Sequence, residues 1–270
     1  MGLPRGQVSQ RKERMALTEV PKPADRKDHI VVGGVTLVGI AAVRELRASG
    51  RSVVIVAQSQ KEADRIVSES LGAGASVVVG DLTTPATFEK ASLSGALALV
   101  LCSADDSTNL IAALAARAAY PGLRVIVSLT RPELRKTLEA AGVTFIASPQ
   151  DMGGRLCASA AFRPEVAQAL EDLTTATFGA DLQEYMIGKA SPLVGLSVAE
   201  AERRVREASD CLVLGIVLPS RSLSGPSNHY RTLINPPASL RFEEGSLVLV
   251  LGSLPNLHRF SDWYGATQGR

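Results

Sequence analysis

The first half of the chain alternates between short apolar runs and longer amphipathic stretches. Fully apolar runs such as 98–102 are typical of strands in a parallel sheet that helices cover on both faces. Stretches such as 37–49, with apolar residues three or four positions apart, indicate helices with one buried face, and Gly50 is the expected left-handed C-cap. This alternation predicts strands at 29–33, 52–57, 75–79, 97–102, 123–128 and 144–147, separated by helices at 37–49, 61–71, 85–91, 106–119 and 132–141.

The second half of the chain has a different pattern of apolar and polar residues. Residues 151–178 are mainly helical, are interrupted at Pro164 and contain no strand-like run, so we interpret them as a connector. Strand-like runs then follow at 184–187, 212–217 and 247–251, with a helix at 198–207 and a polar loop at 219–228. The whole pattern predicts an α/β fold: a Rossmann-like doubly wound parallel sheet, a helical crossover and a small α+β C-terminal lobe. The predicted boundaries are 29–150, 151–178 and 179–260 for these three parts, with a tail at 261–270.

Residues 1–28 carry seven basic residues and three prolines and show little apolar periodicity. This composition is typical of a linker. The segment is either a free terminus, which is the commoner case, or a tether that joins the folded part to a partner.

Composition narrows the class of protein. A length of 270 residues predicts about two folded units, in agreement with the pattern. The net charge of +2 lacks the basic excess that binding to nucleic acid requires. The longest apolar runs are shorter than the roughly 20 residues that span a bilayer. The first residues lack a secretory pattern, and three scattered cysteines suggest reduced thiols, so we expect exposure to the cytosol.

A glycine-rich loop lies between the first predicted strand and its helix. Segment 34–39 reads G-V-T-L-V-G, where a G-x-G-x-x-G loop would bring backbone N–H groups to a pyrophosphate. Thr36 replaces the second glycine, and its branched side chain crowds a dinucleotide although its hydroxyl offers a hydrogen bond. The second strand ends in Ala57 and Gln58, without the acid that holds ribose hydroxyls. This disfavours NAD and leaves open a smaller adenine nucleotide, a divalent cation, another ligand or an empty cleft.

Other polar residues follow the strands at the same sheet edge. Lys61 or Arg65 is placed to bind a 2′-phosphate, although a solvated helical turn is the favoured interpretation of both. Asp81 serves either a turn or a ligand, and Asp105 or Asp106 is the expected N-cap of the next helix. The candidate ligand-binding residues are Gly34, Val35, Thr36, Leu37, Val38, Gln58, Asp81, Leu82 and Ser103.

Catalytic motifs give no support for an enzyme. Tyr185 and Lys189 have the Y-x-x-x-K spacing of short-chain dehydrogenases, but the intervening Gly188 and the nearby Pro192 favour a strand and turn over the required helix. Cys102 has no nearby histidine and is interpreted as a small buried hydrophobe. The sequence therefore yields no catalytic residue, and no set of His and Cys residues has the spacing of a zinc site.

Taken together, these segments resemble the RCK family, the cytosolic regulators of potassium conductance. In the first half the similar segments are 28–34, Gly80-Asp81 with Ala91, Asp105-Asp106 with Asn109, and 141–143 leading to Ser148-Pro149. In the second half they are 191–197, 215–217, 235–237 and 244–252. The resemblance covers most of the chain.

The resemblance implies a ligand-sensing regulatory domain at the cytoplasmic face of the cell membrane. Members typically dimerise through the helical crossover and assemble into a ring of eight beneath a potassium channel or transporter subunit. A ligand bound to the ring changes its diameter and pulls on the pore through the linker. On this interpretation the linker at 1–28 is the remnant of that tether.

Two departures limit what carries over from the family. NAD-binding members keep the second glycine and the acid that Thr36 and Ala57 replace here. Calcium-gated members carry carboxylates where this sequence has Cys102, Ser128 and Thr130. Two alternatives therefore stay beside the sensor: a nucleotide-dependent oxidoreductase whose substrate domain is 179–260, and a ligand-free scaffold that only holds a ring together.

Overall fold

The computed structural model describes residues 26–68, 75–173, 180–220 and 229–265. Most of the predicted linker, residues 221–228 of the predicted loop and the end of the predicted tail lie outside these ranges. The N-terminal lobe contains strands β1 (His29–Gly33), β2 (Val53–Ala57), β3 (Ser76–Val79), β4 (Ala96–Leu101), β5 (Arg124–Ser128) and β6 (Phe145–Ala147). Its helices are α1 (Leu37–Ala48), α2 (Gln60–Ser68), α3 (Pro85–Lys90), α4 (Asp106–Ala119) and α5 (Arg135–Ala140).

These strands form one parallel sheet in the order β3-β2-β1-β4-β5-β6. The chain first runs outward from β1 to β3 and then returns to build the other half of the sheet from β4 to β6. The point where the direction reverses, between β1 and β4, is where ligands of open α/β sheets bind. The predicted Rossmann-like doubly wound fold is confirmed.

Apolar residues on the two faces of this sheet build two cores. On one face, Val32 of β1 and Ile55 of β2 pack with Val43 of α1 and Ile66 of α2. The larger core on the other face joins the sheet to α3, α4 and α5, and its members are mainly valine, leucine and alanine. Buried strands therefore read as continuous apolar runs, because neither face meets water.

The helical connector consists of α6 (Pro149–Ala160) and α7 (Pro164–Asp172). Each begins with proline, which suits the first turn of a helix because the N–H that proline lacks has no intrahelical partner there. Pro164 therefore separates the two helices, as its position in the sequence suggests. Along them, apolar side chains stay exposed: Met152, Phe162, Val166 and Leu170.

The C-terminal lobe is a small α+β unit. Its strands are β7 (Asp181–Met186), β8 (Leu212–Ser220), β9 (His229–Ile234) and β10 (Leu247–Gly252), paired antiparallel in the order β7-β10-β8-β9. Its helices are α8 (Val198–Ser209) and α9 (Leu254–Tyr264). Helix α8 begins with a capping box, in which the Ser197 hydroxyl accepts from Glu200 N and the Glu200 carboxylate accepts from Ser197 N.

Aromatic rings fill the core of this lobe. Tyr185 of β7 lies 4.7 Å from the Phe260 ring and 5.8 Å from the Tyr264 ring, both of α9. The Phe260 ring stacks on the Tyr264 ring with their centroids 5.2 Å apart. The centroid of the Trp263 ring lies 5.8 Å from that of Phe260. Helix α9 is thus anchored to the sheet by ring contacts.

The predicted elements agree with the structure to within a few residues in the N-terminal lobe, and α4 has the predicted bounds. Gly50 has the expected positive φ, +72°, just after α1. Two elements of the C-terminal lobe were not predicted: β9 and α9. Among the described helices, none has the length and apolar character needed to cross a membrane.

Candidate functional site

The glycine loop after β1 lies directly against the end of β4. Gly34 has φ +98°, a conformation that favours glycine, and a Cβ at this position would lie 2.5 Å from Ser103 N and 2.7 Å from Cys102 O. Gly39, in the first turn of α1, packs so closely on Gly34 O that a side chain would overlap it. Both glycines are therefore required by close backbone contact at the switch point.

Thr36, at the position of the second fingerprint glycine, is the N-cap of α1. Its hydroxyl oxygen accepts a hydrogen bond from Gly39 N at 3.2 Å, which is the usual role of an N-cap side chain. The same hydroxyl donates to Cys102 O at 2.8 Å. The side chain therefore caps its own helix and also holds the loop to β4.

The rest of the loop presents apolar surface to solvent. The Leu37 side chain is 87% exposed, whereas Val35 and Val38 are half-buried. Under the loop, between α1, β2 and α2, lies an apolar cavity of about 10 Å³, lined in part by Val35, Ile40 and Ile66. This volume accommodates at most about one water molecule, so the cavity is too small for a nucleotide.

An acidic side chain does reach the end of β2. Glu62, in the first turn of α2, accepts a hydrogen bond from Gln58 N at 2.9 Å, while its own N–H donates to the Ser59 hydroxyl. The strand end itself carries no acid, as the sequence shows, but Glu62 supplies a carboxylate beside it. The carboxylate comes from four residues beyond Gln58 because the helix turn folds back on the strand end.

Arg65 reaches from α2 to the glycine loop. Its Nη2 donates to Val35 O at 2.8 Å, and the side chain stays exposed, in agreement with the solvated position favoured by the sequence. Lys61, one turn earlier, is exposed. Arg65 and Glu62 thus place one positive and one negative group beside the loop on the β2 side.

Asp81 and Leu82 follow β3 but have different roles. The Asp81 carboxylate accepts from Thr83 N and from the Thr83 hydroxyl, both at 2.8 Å, and these bonds hold its pKa below the ordinary range. Asp81 therefore shapes the turn while staying exposed at the edge. Leu82 is buried against Gly33 of β1, so its side chain belongs to the core.

Ser103 and Asn109 form a polar clamp between β4 and α4. Asn109 is fully buried; its Oδ1 accepts from Ser103 N, and its Nδ2 donates to Ser103 O and to Ser128 O. Burial raises the pKa of the neighbouring Cys102 thiol to about 11, which keeps it protonated. The prediction of Cys102 as a small buried hydrophobe is confirmed.

The neighbouring aspartates Asp105 and Asp106 have different structural roles at the start of α4. Asp105 is the N-cap of α4: its carboxylate accepts from Ser107 N and Thr108 N, and bonds to Thr108 lower its pKa. Asp106 is buried and accepts from Thr130 N and Arg131 N after β5, at 3.1 and 2.7 Å. Asp106 therefore fixes the β5 end to α4.

Catalytic and metal-binding groups do not converge in the described part of the chain. Tyr185 lies in a strand, donates its hydroxyl to Gln183 Oε1, and has its pKa raised to about 12 by burial, in agreement with the rejection of the Y-x-x-x-K motif. Within residues 26–68, 75–173, 180–220 and 229–265, no three His, Cys, Asp or Glu side chains form a group that would hold a metal ion.

Residues 30–149, from β1 to the start of α6, match the TrkA-N domain family. This part of the chain is similar to the TrkA-N part of RCK domains. The resemblance carried by the glycine loop and the polar residues of the sheet edge is thereby confirmed.

Several potassium transport proteins are similar in sequence to this chain. The chain is 24% identical over 204 residues to the Trk system potassium uptake protein TrkA homolog of Pyrococcus horikoshii, a match that covers 74% of this chain and 85% of the relative. It is 23% identical over 133 residues to the voltage-gated potassium channel Kch of Escherichia coli, which covers 49% of this chain and 32% of that channel. The match thus spans most of an uptake protein and a third of a channel.

A solved structure shares the fold over most of the chain. The human SLO3 gating ring superposes with a TM-score of 0.59 at 14% identity, over 86% of this chain and 46% of that chain. The similarity extends beyond the TrkA-N part, since residues 30–149 are less than half of the sequence.

Proposed function

We propose that this chain is the ligand-sensing regulatory domain of a potassium channel or potassium uptake system and acts at the cytoplasmic face of the membrane. The observation that carries the proposal is the TrkA-N match over residues 30–149, together with relatives named as potassium uptake and channel proteins. Ligand binding to the domain changes its shape, and the membrane subunit responds by opening or closing its pore.

The proposed ligand site is the carboxyl edge of the parallel sheet beside the glycine loop, and the proposed ligand is an adenine nucleotide. Three features support this site: the switch-point position of the loop, the Arg65 guanidinium on the loop, and the Glu62 carboxylate at the end of β2. A guanidinium suits a phosphate, and a carboxylate suits ribose hydroxyls.

The proposed assembly is a homodimer that builds a larger ring. Exposed apolar side chains on the connector support it, because Val166 and Leu170 lie four residues apart on the same face of α7 and Phe162 precedes that helix with 87% of its side chain exposed. A second copy that covers this face removes the surface from water.

A regulatory role also agrees with the tasks of the polar side chains at the carboxyl edge of the parallel sheet. The buried polar groups there hold loops and helix ends together, as Asn109 and Asp106 do. The oxidoreductase alternative needs a proton donor near a nicotinamide ring, and Tyr185 and Cys102 are each occupied in packing. We therefore assign the domain a non-enzymatic role.

The test is rubidium uptake by cells that lack their own potassium uptake and express this chain with a Trk-type membrane subunit. We expect uptake to depend on the chain and to change in the Arg65→Gln variant, with Lys61→Gln, one turn away on the same helix, as the control. Uptake that is the same with and without the chain contradicts the proposal. Oxidation of NADPH by the purified chain with any substrate favours the enzyme alternative.

Assembly is tested separately by light scattering on the purified chain. The Val166→Asp variant is expected to shift the mass toward the monomer, whereas Val194→Asp, a comparably exposed valine of the C-terminal lobe, leaves it unchanged. Equal masses for Val166→Asp and wild type contradict the crossover interface.

A further inference from the structure

A groove of about 350 Å³ lies on the C-terminal lobe beside α8 and α9, and we call it the α8–α9 groove. Its lining residues are Pro192 from the loop after β7, Arg204, Glu207 and Ala208 from α8, and Trp263 from α9. Small-molecule sites usually have volumes of about 300 to 1,000 Å³, so the groove has the size of such a site. It shares no residue with the nucleotide site proposed for the N-terminal lobe.

The core of the lobe holds two walls of the groove in place. Ser191, which precedes Pro192, donates its hydroxyl to the Tyr264 hydroxyl at 3.0 Å. Tyr264 in turn donates to Met186 O at 2.9 Å. The Trp263 side chain is half-buried and packs against the aromatic core. The loop and the indole are therefore positioned before a ligand binds, which lowers the entropy that binding costs.

Two arginines of α8 are compensated by carboxylates of the same helix end. Arg203 donates to both carboxylate oxygens of Glu207, at 2.9 and 3.0 Å. Arg206 pairs with Asp210 at 3.3 Å. In both pairs the acid lies four residues after the arginine, which is the spacing that brings side chains together on a helix surface. The Glu207 carboxylate in the groove is thus already neutralised.

Arg204 differs from these two arginines. The residue four positions after it is Ala208, which has no charge. Glu200, four positions before it, accepts from Ser197 N and from the Ser197 hydroxyl, both at 2.8 Å. Within the described residues Arg204 forms no salt bridge, and its side chain is exposed. The groove therefore offers one uncompensated guanidinium together with an indole ring.

We propose that the α8–α9 groove binds small aromatic carboxylates, with the carboxylate on the Arg204 guanidinium and the aromatic ring on the Trp263 indole. A guanidinium donates two parallel hydrogen bonds to a carboxylate, and two aromatic rings attract each other when they stack with an offset. Pro192 and Ala208 supply the apolar remainder of the lining. This site gives the protein a second class of ligand, independent of the nucleotide.

Fluorescence titration of the full chain with benzoate tests the site directly, because Trp263 is the only tryptophan in the chain. Benzamide is the matched probe, since it has the same ring and nearly the same shape without the charge. We expect a saturable change with benzoate and a Kd at least about tenfold lower than that of benzamide, the factor that one hydrogen bond between charged groups typically contributes. A change that does not saturate with benzoate, or equal Kd values for the two probes, overturns the proposal.

The Arg204→Gln variant tests the anion contact and leaves the pair of Arg203 with Glu207 in place. We expect its Kd for benzoate to rise about tenfold, to the value for benzamide, while the Kd for benzamide is unchanged. Arg206→Gln is the matched control, because Arg206 lies on the same helix but does not line the groove. Equal losses in the two variants indicate a general effect of surface charge and contradict the assignment to Arg204.

The Trp263→Leu variant tests the ring contact, with benzoate binding followed by NMR line broadening of the probe. We expect about fivefold weaker binding, since a contact between two aromatic rings contributes about 1 kcal/mol beyond the area that it buries. Circular dichroism first checks that the variant is folded, and if it is not, the two arginine variants alone decide. Unchanged affinity in folded Trp263→Leu overturns the contact with the indole.

Discussion

The two lobes of this protein are stabilised by different side chains. The N-terminal lobe packs small aliphatic residues on both faces of a parallel sheet and buries polar groups, such as Asp106 and Asn109, at one edge. The C-terminal lobe packs Tyr185, Phe260 and Tyr264 between an antiparallel sheet and α9. Small side chains let backbone segments approach each other at the carboxyl edge of the parallel sheet, whereas large rings make a core from few residues.

The largest effect is expected from the aromatic core. Phe260→Ala removes a fully buried ring that contacts Tyr185, Trp263 and Tyr264, and we expect a loss of about 4 kcal/mol in the free energy of unfolding. Trp263 is the only tryptophan in the chain, so its fluorescence during urea unfolding reports on the C-terminal lobe. Val194→Ala, at an exposed valine of the same lobe, is the control.

An unchanged fluorescence midpoint for Phe260→Ala would contradict the assignment of stability in this lobe to its rings. Binding of ADP to the nucleotide site proposed for the N-terminal lobe serves as the companion measurement. It should survive the substitution, because the ring contacts of Phe260 all lie within the C-terminal lobe.

The next effect comes from the buried carboxylate of the N-terminal lobe. Asp106→Ala leaves Thr130 N and Arg131 N without their acceptor, and we expect a loss of about 3 kcal/mol. Asp105→Ala is the matched control, since that neighbour is exposed and its loss removes only a helix cap. Unfolding followed by circular dichroism measures both variants, and equal losses from the two would show that burial of Asp106 is not what stabilises the β5 end.

A smaller loss of stability is expected when a side chain is placed at the glycine loop. Alanine at Gly34 meets both an unfavourable positive φ and the backbone of Cys102 and Ser103, whereas alanine at Gly50 meets only the φ, because nothing lies within 4 Å of its Cβ position. We expect Gly34→Ala to destabilise by about 2 kcal/mol more than Gly50→Ala. Thermal unfolding measures the pair, and equal shifts in Tm would argue against tight contact between the loop and β4.

The smallest effect is a pH dependence at Asp81. Hydrogen bonds from Thr83 lower its folded-state pKa, so its contribution to stability is present above the unfolded pKa of about 3.9 and is lost as pH falls through the folded value. Asp81→Asn keeps an acceptor oxygen but does not titrate. Between about pH 5 and pH 3, wild type should therefore lose slightly more stability than Asp81→Asn, and parallel acid profiles would contradict the shift.

Sequence reasoning succeeded where a local pattern determines the structure. Helix α4 has its predicted bounds because Asp105 caps its start and an alanine-rich face buries its length. The C-terminal lobe was harder to predict from the sequence. Helix α9 begins at Leu254-Pro255 and carries aromatic rings at 260, 263 and 264, a pattern too short to distinguish from a tail. Its strand β9 borders the loop predicted at 219–228 and pairs with β8 through tertiary contacts.

The residues of the candidate site also fall into those that a local sequence pattern reveals and those that only tertiary contacts reveal. The sequence located the glycine loop and the departure at Thr36, because both are read from consecutive residues. It missed Glu62 at the end of β2 and named Arg65 only as a candidate for a 2′-phosphate. Only the packing of α2 against the sheet brings the two side chains to Gln58 N and Val35 O. The S-x-x-E pattern at 59–62, which is typical of a capping box, is the sequence signal that would have identified Glu62.

The strand order also has a consequence for synthesis of the chain. Strand β1 is made first and pairs early with β2, but its other edge is covered only by β4, whose residues Ala96–Leu101 emerge more than sixty positions later. Until then a buried-type apolar strand presents unpaired N–H and C=O groups to its surroundings, which invites association with other chains. A ribosome-bound or truncated fragment that stops before Ala96 should therefore aggregate, whereas one that extends past Ser128 completes both edges of β1.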